Sequence, residues 1–219
     1  MSCIITATGT DVGKTWLCSL IMAKYGASRN LRYWKPFQTG SSSDTAQVMQ
    51  NSNLGTQHFL EEMYAFSLAA APKIAAENEN SAINMDLFFS RFAEYKHLNL
   101  VIEGAGGLYV PLNNEFFIID MIAKLELPVI LVVSSLLGTI NSSLLSLNAM
   151  KSRNIPVAGF YMIGEKNPLL ESNIMTIENF SRSRFLGYAE LDGSFLSSEK
   201  FISQAVAEFD PEGRIGELL

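Results

Sequence analysis

Residues 7–15 run Ala7-Thr8-Gly9-Thr10-Asp11-Val12-Gly13-Lys14-Thr15, between a short apolar segment and a stretch of helical periodicity. Backbone N–H groups in such a loop, followed by a helix N-terminus, present partial positive charge to a phosphate chain. Gly13 lets the backbone approach closely, Lys14 can reach the outer phosphates, and the Thr15 hydroxyl can ligate Mg²⁺. Thr10, Asp11, Val12 and Trp16 complete the stretch expected to line a nucleotide. The strict P-loop spacing GxxxxGK[ST] calls for glycine at position 8, where this chain has Thr8.

Two carboxylates and a second lysine extend the pattern. The apolar run Leu98–Ile102 ends in Glu103-Gly104-Ala105-Gly106-Gly107. Ligands of open α/β sheets bind outside the carboxyl ends of strands. A carboxylate there can hold Mg²⁺ against phosphates, and Gly104, Ala105 and Gly106 leave room for them. Another run ends at Lys35-Pro36-Phe37-Gln38-Thr39-Gly40, which puts Lys35 in the same crevice. A cation beside Lys14 would stabilise charge spreading over a transferring γ-phosphoryl group. Asp44, after the serines 41–43, is a candidate second Mg²⁺ carboxylate.

The elements that must position these residues alternate along the chain. Strands are predicted at Cys3–Thr6, Leu31–Trp34, Leu98–Ile102, Pro128–Val133 and Val157–Ile163, with a weaker one at Arg184–Leu186. Helical periodicity marks Lys14–Tyr25, Asp86–Tyr95, Phe116–Leu125, Ile140–Ser152, Leu169–Phe180 and Ser198–Phe209. Strands apolar throughout are buried on both faces, as in parallel sheets. Their alternation with helices predicts an α/β fold: a three-layer, doubly wound, mostly parallel sheet of P-loop type. Residues 41–84 lack clear periodicity and read as an irregular functional excursion from one domain spanning 1–219.

Composition narrows the function classes. A chain of 219 residues, 48% hydrophobic, suits one core, since single cores grow to roughly 250–300 residues. The net charge of −6 offers no clustered basic surface for nucleic acid. No apolar run reaches the roughly 20 residues of a membrane span, and no secretory leader is visible, so a cytoplasmic location is expected. Cys3 and Cys18 lack metal-ligand spacing and read as reduced core residues. His58 and His97 are isolated and read as structural.

The order of motifs is more specific than any one of them: GTDVGKT, then KPFQTG, Asp44, EGAGGLYVPL and LPVILVVSSLLGTINSSLLS. That series resembles the dethiobiotin synthetase family over about residues 3–160. The resemblance implies a homodimeric ligase acting on 7,8-diaminononanoate, CO₂ and ATP with Mg²⁺. Lys14 would bind phosphate, Lys35 would be the catalytic cation, and Thr15, Asp44 and Glu103 would hold magnesium. Thr39 would contact the substrate. Gly138, Thr139 and Asn141, opening a helix, would receive the substrate carboxylate from the partner subunit. Ala189, Glu190 and Leu191 would lie on the nucleotide.

The family pattern is departed from in three places. Ala7 and Gly9 stand where Gly and Asp are usual, Ile163 stands where an Asn commonly reads adenine, and the segment 186–191 lacks its usual proline. The last two imply weak discrimination among nucleobases. Two rivals share the core. A ParA/MinD-like switching ATPase would carry an extra lysine near the loop's start, where this chain has Thr8 and Gly9. A cobyrinate-type amidoligase would need a glutaminase domain.

Overall fold

The computed structural model describes residues 2–190 and 198–219. Its strands, in chain order, are β1 (Cys3–Ala7), β2 (Leu31–Trp34), β3 (Phe37–Thr39), β4 (Phe59–Leu60), β5 (Tyr64–Phe66), β6 (Asn99–Gly107), β7 (Val129–Ser134), β8 (Val157–Ile163) and β9 (Phe185–Ala189). Seven of them form one sheet in the order β4-β2-β6-β1-β7-β8-β9, and every registered pair is parallel. β3 and β5 make a small separate parallel pair. The helices are α1 (Lys14–Tyr25), α2 (Asp44–Ser52), α3 (Pro72–Asn78), α4 (Met85–Tyr95), α5 (Ile118–Leu125), α6 (Thr139–Ser152), α7 (Leu170–Ser181) and α8 (Ser198–Ala207).

The period-2 alternation of strand side chains divides the core into two layers. Ile4, Trp34, Leu100 and Ile102 face one side, under α3, α4, α5, α6 and α7. Ile5, Tyr33, Val101 and Ile163 face the other, under α1, α2 and α8. Both faces of the sheet are therefore dry, which is why its strands carry near-continuous apolar runs. The expected three-layer doubly wound architecture is present.

Several boundaries differ from expectation. The third long strand does not stop at Ile102: β6 continues through Glu103 to Gly107, because Ile5 and Ala7 of β1 pair with Glu103 and Gly107. The glycines after Glu103 are strand residues, with the register shift between Ile5 and Ala7 absorbing the bend. The weak last strand runs on to Ala189, in register with Ile163. The segment 41–84 is not irregular: it carries α2, the short strands β4 and β5, and α3. These elements are too short for a periodicity signal to separate from the surrounding polar sequence. Phe37 stacks on Tyr64 and Tyr64 on Phe66, so two of the aromatics of this segment pack it.

Cys3 and Cys18 are free and buried. His58 is buried with its Nδ1 on the Leu31 carbonyl, and His97 lies against the Glu94 carbonyl. Among the described residues no helix is long and apolar enough to cross a membrane.

Candidate active site

The loop between β1 and α1 is shaped by two left-handed residues, Asp11 (φ 56) and Gly13 (φ 105). Gly13 is the N-cap of α1, and a Cβ built on it would come within 2.8 Å of Ile163 Cγ2. Both the backbone angle and the contact require glycine there. On the other flank, a Cβ on Gly107 would meet Gly9 Cα at 3.4 Å, so the end of β6 lies directly against the loop. Lys14 is 7% exposed and donates from Nζ to the Gly9 carbonyl at 3.1 Å. Burial, reinforced by the nearby Lys35 ammonium, holds its pKa below the ordinary lysine value.

Strand alternation brings the charged groups together. Tyr33 pairs with Val101 across β2 and β6, and Lys35 and Glu103 follow two residues on, on the α1 face. Lys35 Nζ donates to Glu103 Oε1 at 2.7 Å and lies 2.5 Å from Asp44 Oδ2. It also donates to the Gly104 carbonyl at 3.4 Å. Thr15 Oγ1 donates to the same Glu103 Oε1 at 2.9 Å. The opposite oxygen, Oε2, accepts from Tyr33 Oη at 2.9 Å. Glu103 is 1% exposed and Lys35 4%. Burial by itself would lower the lysine pKa, but Glu103 and Asp44 outweigh it and raise the value. Burial would likewise raise the Glu103 pKa, and Lys35 outweighs it and holds the carboxyl below its usual range.

Asp44 reaches this cluster because α2 begins on it. Ser43 caps the helix by accepting from the Ala46 N–H at 3.1 Å, and an acidic first residue suits the positive end of the helix dipole. The turn before it is tied by Gln38, which is 6% exposed. Gln38 Nε2 donates to the Thr39 and Ser42 carbonyls at 3.0 and 2.7 Å, and its Oε1 accepts from the Asp44 N–H at 3.3 Å.

These groups line one cavity of about 840 Å³. Thr10, Asp11, Gly13, Lys14, Thr15 and Trp16 border it from the loop side, and Lys35, Thr39, Asp44, Glu103, Ala105 and Gly106 from the other. Val12 is packed against the core instead, and Gly104 contributes only its carbonyl, to Lys35. Gly138, Thr139 and Asn141 at the start of α6 do not border the cavity. Thr139 is buried, its hydroxyl 3.5 Å from Ser143 Oγ, while Gly138 and Asn141 are exposed. Ala189 and Glu190 at the end of β9 do not border it either, and Leu191 lies outside the described residues.

Sequence reasoning missed Tyr33, Gln38 and the Ala69–Pro72 wall of the cavity. Tyr33 had a usable signal, its period-2 relation to Lys35. Ala69–Pro72 had none, because only the fold of 41–84 brings it to the crevice. Among the described residues no three His, Cys, Asp or Glu side chains cluster as a metal cage. The donors here are two carboxylates and a hydroxyl, all hard oxygen ligands, with a lysine ammonium seated between the carboxylates. That set suits a small hard cation that also takes phosphate oxygens, as Mg²⁺ does.

A family model described as an AAA domain matches residues 2–192. The chain is 38% identical over 220 residues to an ATP-dependent dethiobiotin synthetase of Leptospira interrogans, covering all of both chains. The chain belongs to the dethiobiotin synthetase family. A second dethiobiotin synthetase, from Rhodopseudomonas palustris, is 38% identical over 182 residues, covering 82% of this chain and 83% of that one. Dethiobiotin synthetase membership makes the chain an ATP-dependent ligase of the carbon–nitrogen bond-forming kind. The structure is also similar to apo McdA of Cyanothece, at 8% identity with a TM-score of 0.60 over 99% of this chain and 98% of that one. It is similar to the cell-division ATPase MinD of Pyrococcus furiosus at 10% identity, TM-score 0.54, over 100% and 99%. These likenesses are of fold alone, and the switching-ATPase alternative is the weaker reading beside full-length ligase relatives.

Proposed function

We propose that the chain makes dethiobiotin from 7,8-diaminononanoate, CO₂ and ATP. One amine captures CO₂ as a carbamate, releasing a proton. A carbamate oxygen attacks the γ-phosphorus, ADP leaves, and a carbamic–phosphoric anhydride forms. The second amine attacks the carbamoyl carbon and loses a proton, closing the cyclic urea and expelling inorganic phosphate. The observation that carries this reading is the convergence of Lys14, Thr15, Lys35, Asp44 and Glu103 on one cavity large enough for several reactants.

In this reading Lys14 and the backbone of residues 10–16 hold the triphosphate, and Lys35 faces the charge that develops on the transferring phosphoryl group. Catalysis is mostly positioning and charge neutralisation. Thr15, Asp44 and Glu103 would hold Mg²⁺, which supplies charge neutralisation at the phosphates. Thr39 would orient the diamine. The exposure of Leu136, Leu137 and Leu145 around the start of α6 supports a homodimer in which Gly138, Thr139 and Asn141 act on the partner's site. Ala189, Glu190 and Leu191 would approach the base, and the enzyme would work in the cytoplasm.

A coupled phosphate-release assay that omits one component at a time tests the reaction. Phosphate is expected only when diaminononanoate, bicarbonate and MgATP are all present. ATP turnover indifferent to the diamine and stimulated by DNA or lipid would overturn the reading.

A further inference from the structure

Glu103 presents its two oxygens unequally. Oε1 points into the cavity, where it meets Thr15 Oγ1 and Lys35 Nζ. Oε2 points into the core, where it accepts from Tyr33 Oη at 2.9 Å. Tyr33 is fully buried on the α1 face of β2, its ring edge-on to Phe59, so the hydroxyl is fixed by packing. Tyr33 thus holds the carboxylate from the core side, away from the cavity.

We propose that Tyr33 sets the cation selectivity of the site, by holding Glu103 as a one-oxygen ligand; this rests on the reading of Glu103 as a Mg²⁺ ligand. A carboxylate rotated so that both oxygens face a cation suits Ca²⁺, which takes six to eight oxygens in flexible geometry and accepts two-oxygen carboxylates. A small octahedral cation needs single oxygens at short distance. Tyr33 occupies Oε2 and opposes the rotation that would bring it round, so the site favours the smaller ion. Hydrogen-bond partners behind a metal ligand commonly shift metal affinity by about 10–100-fold. Tyr33 is a positioning residue that acts through Glu103 and touches neither substrate nor cation.

The test measures Mn²⁺ binding to the full chain with a non-hydrolysable ATP analogue, by electron paramagnetic resonance, with Ca²⁺ as competitor. The unaltered protein is expected to bind Mn²⁺ at least about tenfold more tightly than Ca²⁺. Tyr33→Phe keeps the ring and removes the donor; it is expected to weaken Mn²⁺ by about tenfold while Ca²⁺ binding holds or strengthens. In a Glu103→Gln background, Tyr33→Phe is expected to add nothing. Equal binding of the two ions by the unaltered protein overturns the inference whether or not the variant folds. An unchanged Mn²⁺ affinity in Tyr33→Phe, or equal losses for both ions, also overturns it. Normal Mn²⁺ binding by Glu103→Gln instead overturns the reading of Glu103 as a ligand.

Discussion

Lys35 Nζ sits between Glu103 Oε1 at 2.7 Å and Asp44 Oδ2 at 2.5 Å, and it bridges the almost wholly buried Glu103 to the partly exposed Asp44, compensating one of their two negative charges. The same ammonium that would serve phosphoryl transfer therefore also holds the nucleotide-free site together. Removing one partner of a buried ion pair leaves an uncompensated charge and costs about 3–5 kcal/mol. Lys35→Gln is expected to lower Tm clearly, with the lower end of that range favoured because Asp44 is partly exposed. Mg²⁺ is expected to recover part of the loss. Its kcat is expected to fall far more than its nucleotide affinity, since the charge serves the transition state. Thermal melts with and without Mg²⁺, beside steady-state kinetics, check both; an unchanged Tm would refute the structural half.

Lys14 differs from Lys35: among the described residues it has no carboxylate in salt-bridge range, and its Nζ donates to the Gly9 carbonyl. Lys14→Ala is expected to leave the fold intact by circular dichroism while phosphate release drops by about 10²–10³. Retention of more than a tenth of the activity would contradict its role at the phosphates.

Gly13 is held by two separable constraints, its φ of 105° and the Ile163 side chain 2.8 Å from any Cβ. Gly13→Ala is expected to destabilise by about 1–2 kcal/mol from the left-handed backbone, and further from the clash. Gly13→Ala with Ile163→Ala relieves only the clash. Its cost in denaturant titrations is expected to fall short of the sum of the single changes by about 1 kcal/mol. Strict additivity would show that the contact is not felt.

At the C-terminal end, Tyr25 Oη donates to Asp210 Oδ2 at 2.7 Å, and burial followed by that carboxylate raises the phenol pKa above its ordinary 10.0. The folded state thus keeps a proton that the unfolded chain gives up. The stabilisation is complete below pH 10.0 and is lost as pH rises toward the folded value. Tyr25→Phe is expected to destabilise the fold at neutral pH by about 1.5–3 kcal/mol, the worth of a hydrogen bond to a charged group, and so to lower Tm, and to flatten the alkaline fall. Melting curves stepped upward from neutral pH decide it; an equally steep fall in the variant would remove Tyr25 from the account.

Base selectivity is expected to be weak. Ile163 is 1% exposed and spends its side chain on Gly13, so it has no polar group to offer a base. GTP and CTP are expected to support turnover with kcat/KM within roughly tenfold of ATP, about 1.4 kcal/mol of selectivity. Competition kinetics among the four nucleotides measure this, and a thousandfold preference for ATP would mean that another group reads the base.

The sequence by itself determined the class of the protein: a parallel sheet, from apolar runs alternating with helices, and a phosphate site, from Gly13, Lys14 and Thr15 at the first strand–helix junction. Those features are local, because a strand's period and a loop's spacing are written in consecutive residues. It also pointed to Lys35 and Glu103 for the crevice, since each directly follows a predicted strand, and offered Asp44 only as a candidate beside them, which α2 then brought to the cluster. Only the tertiary structure decided which oxygen of Glu103 faces the cavity and that Tyr33 holds the other, because that depends on the register between β2 and β6, 70 residues apart in the chain. It alone extended β6 through the glycines, whose strand character comes from pairing with β1 and not from their own propensity. It also folded 41–84 into short elements that wall the cavity, and set Ile163 under Gly13. Each of these rests on contacts between segments distant in sequence, and local periodicity carries no information about such contacts.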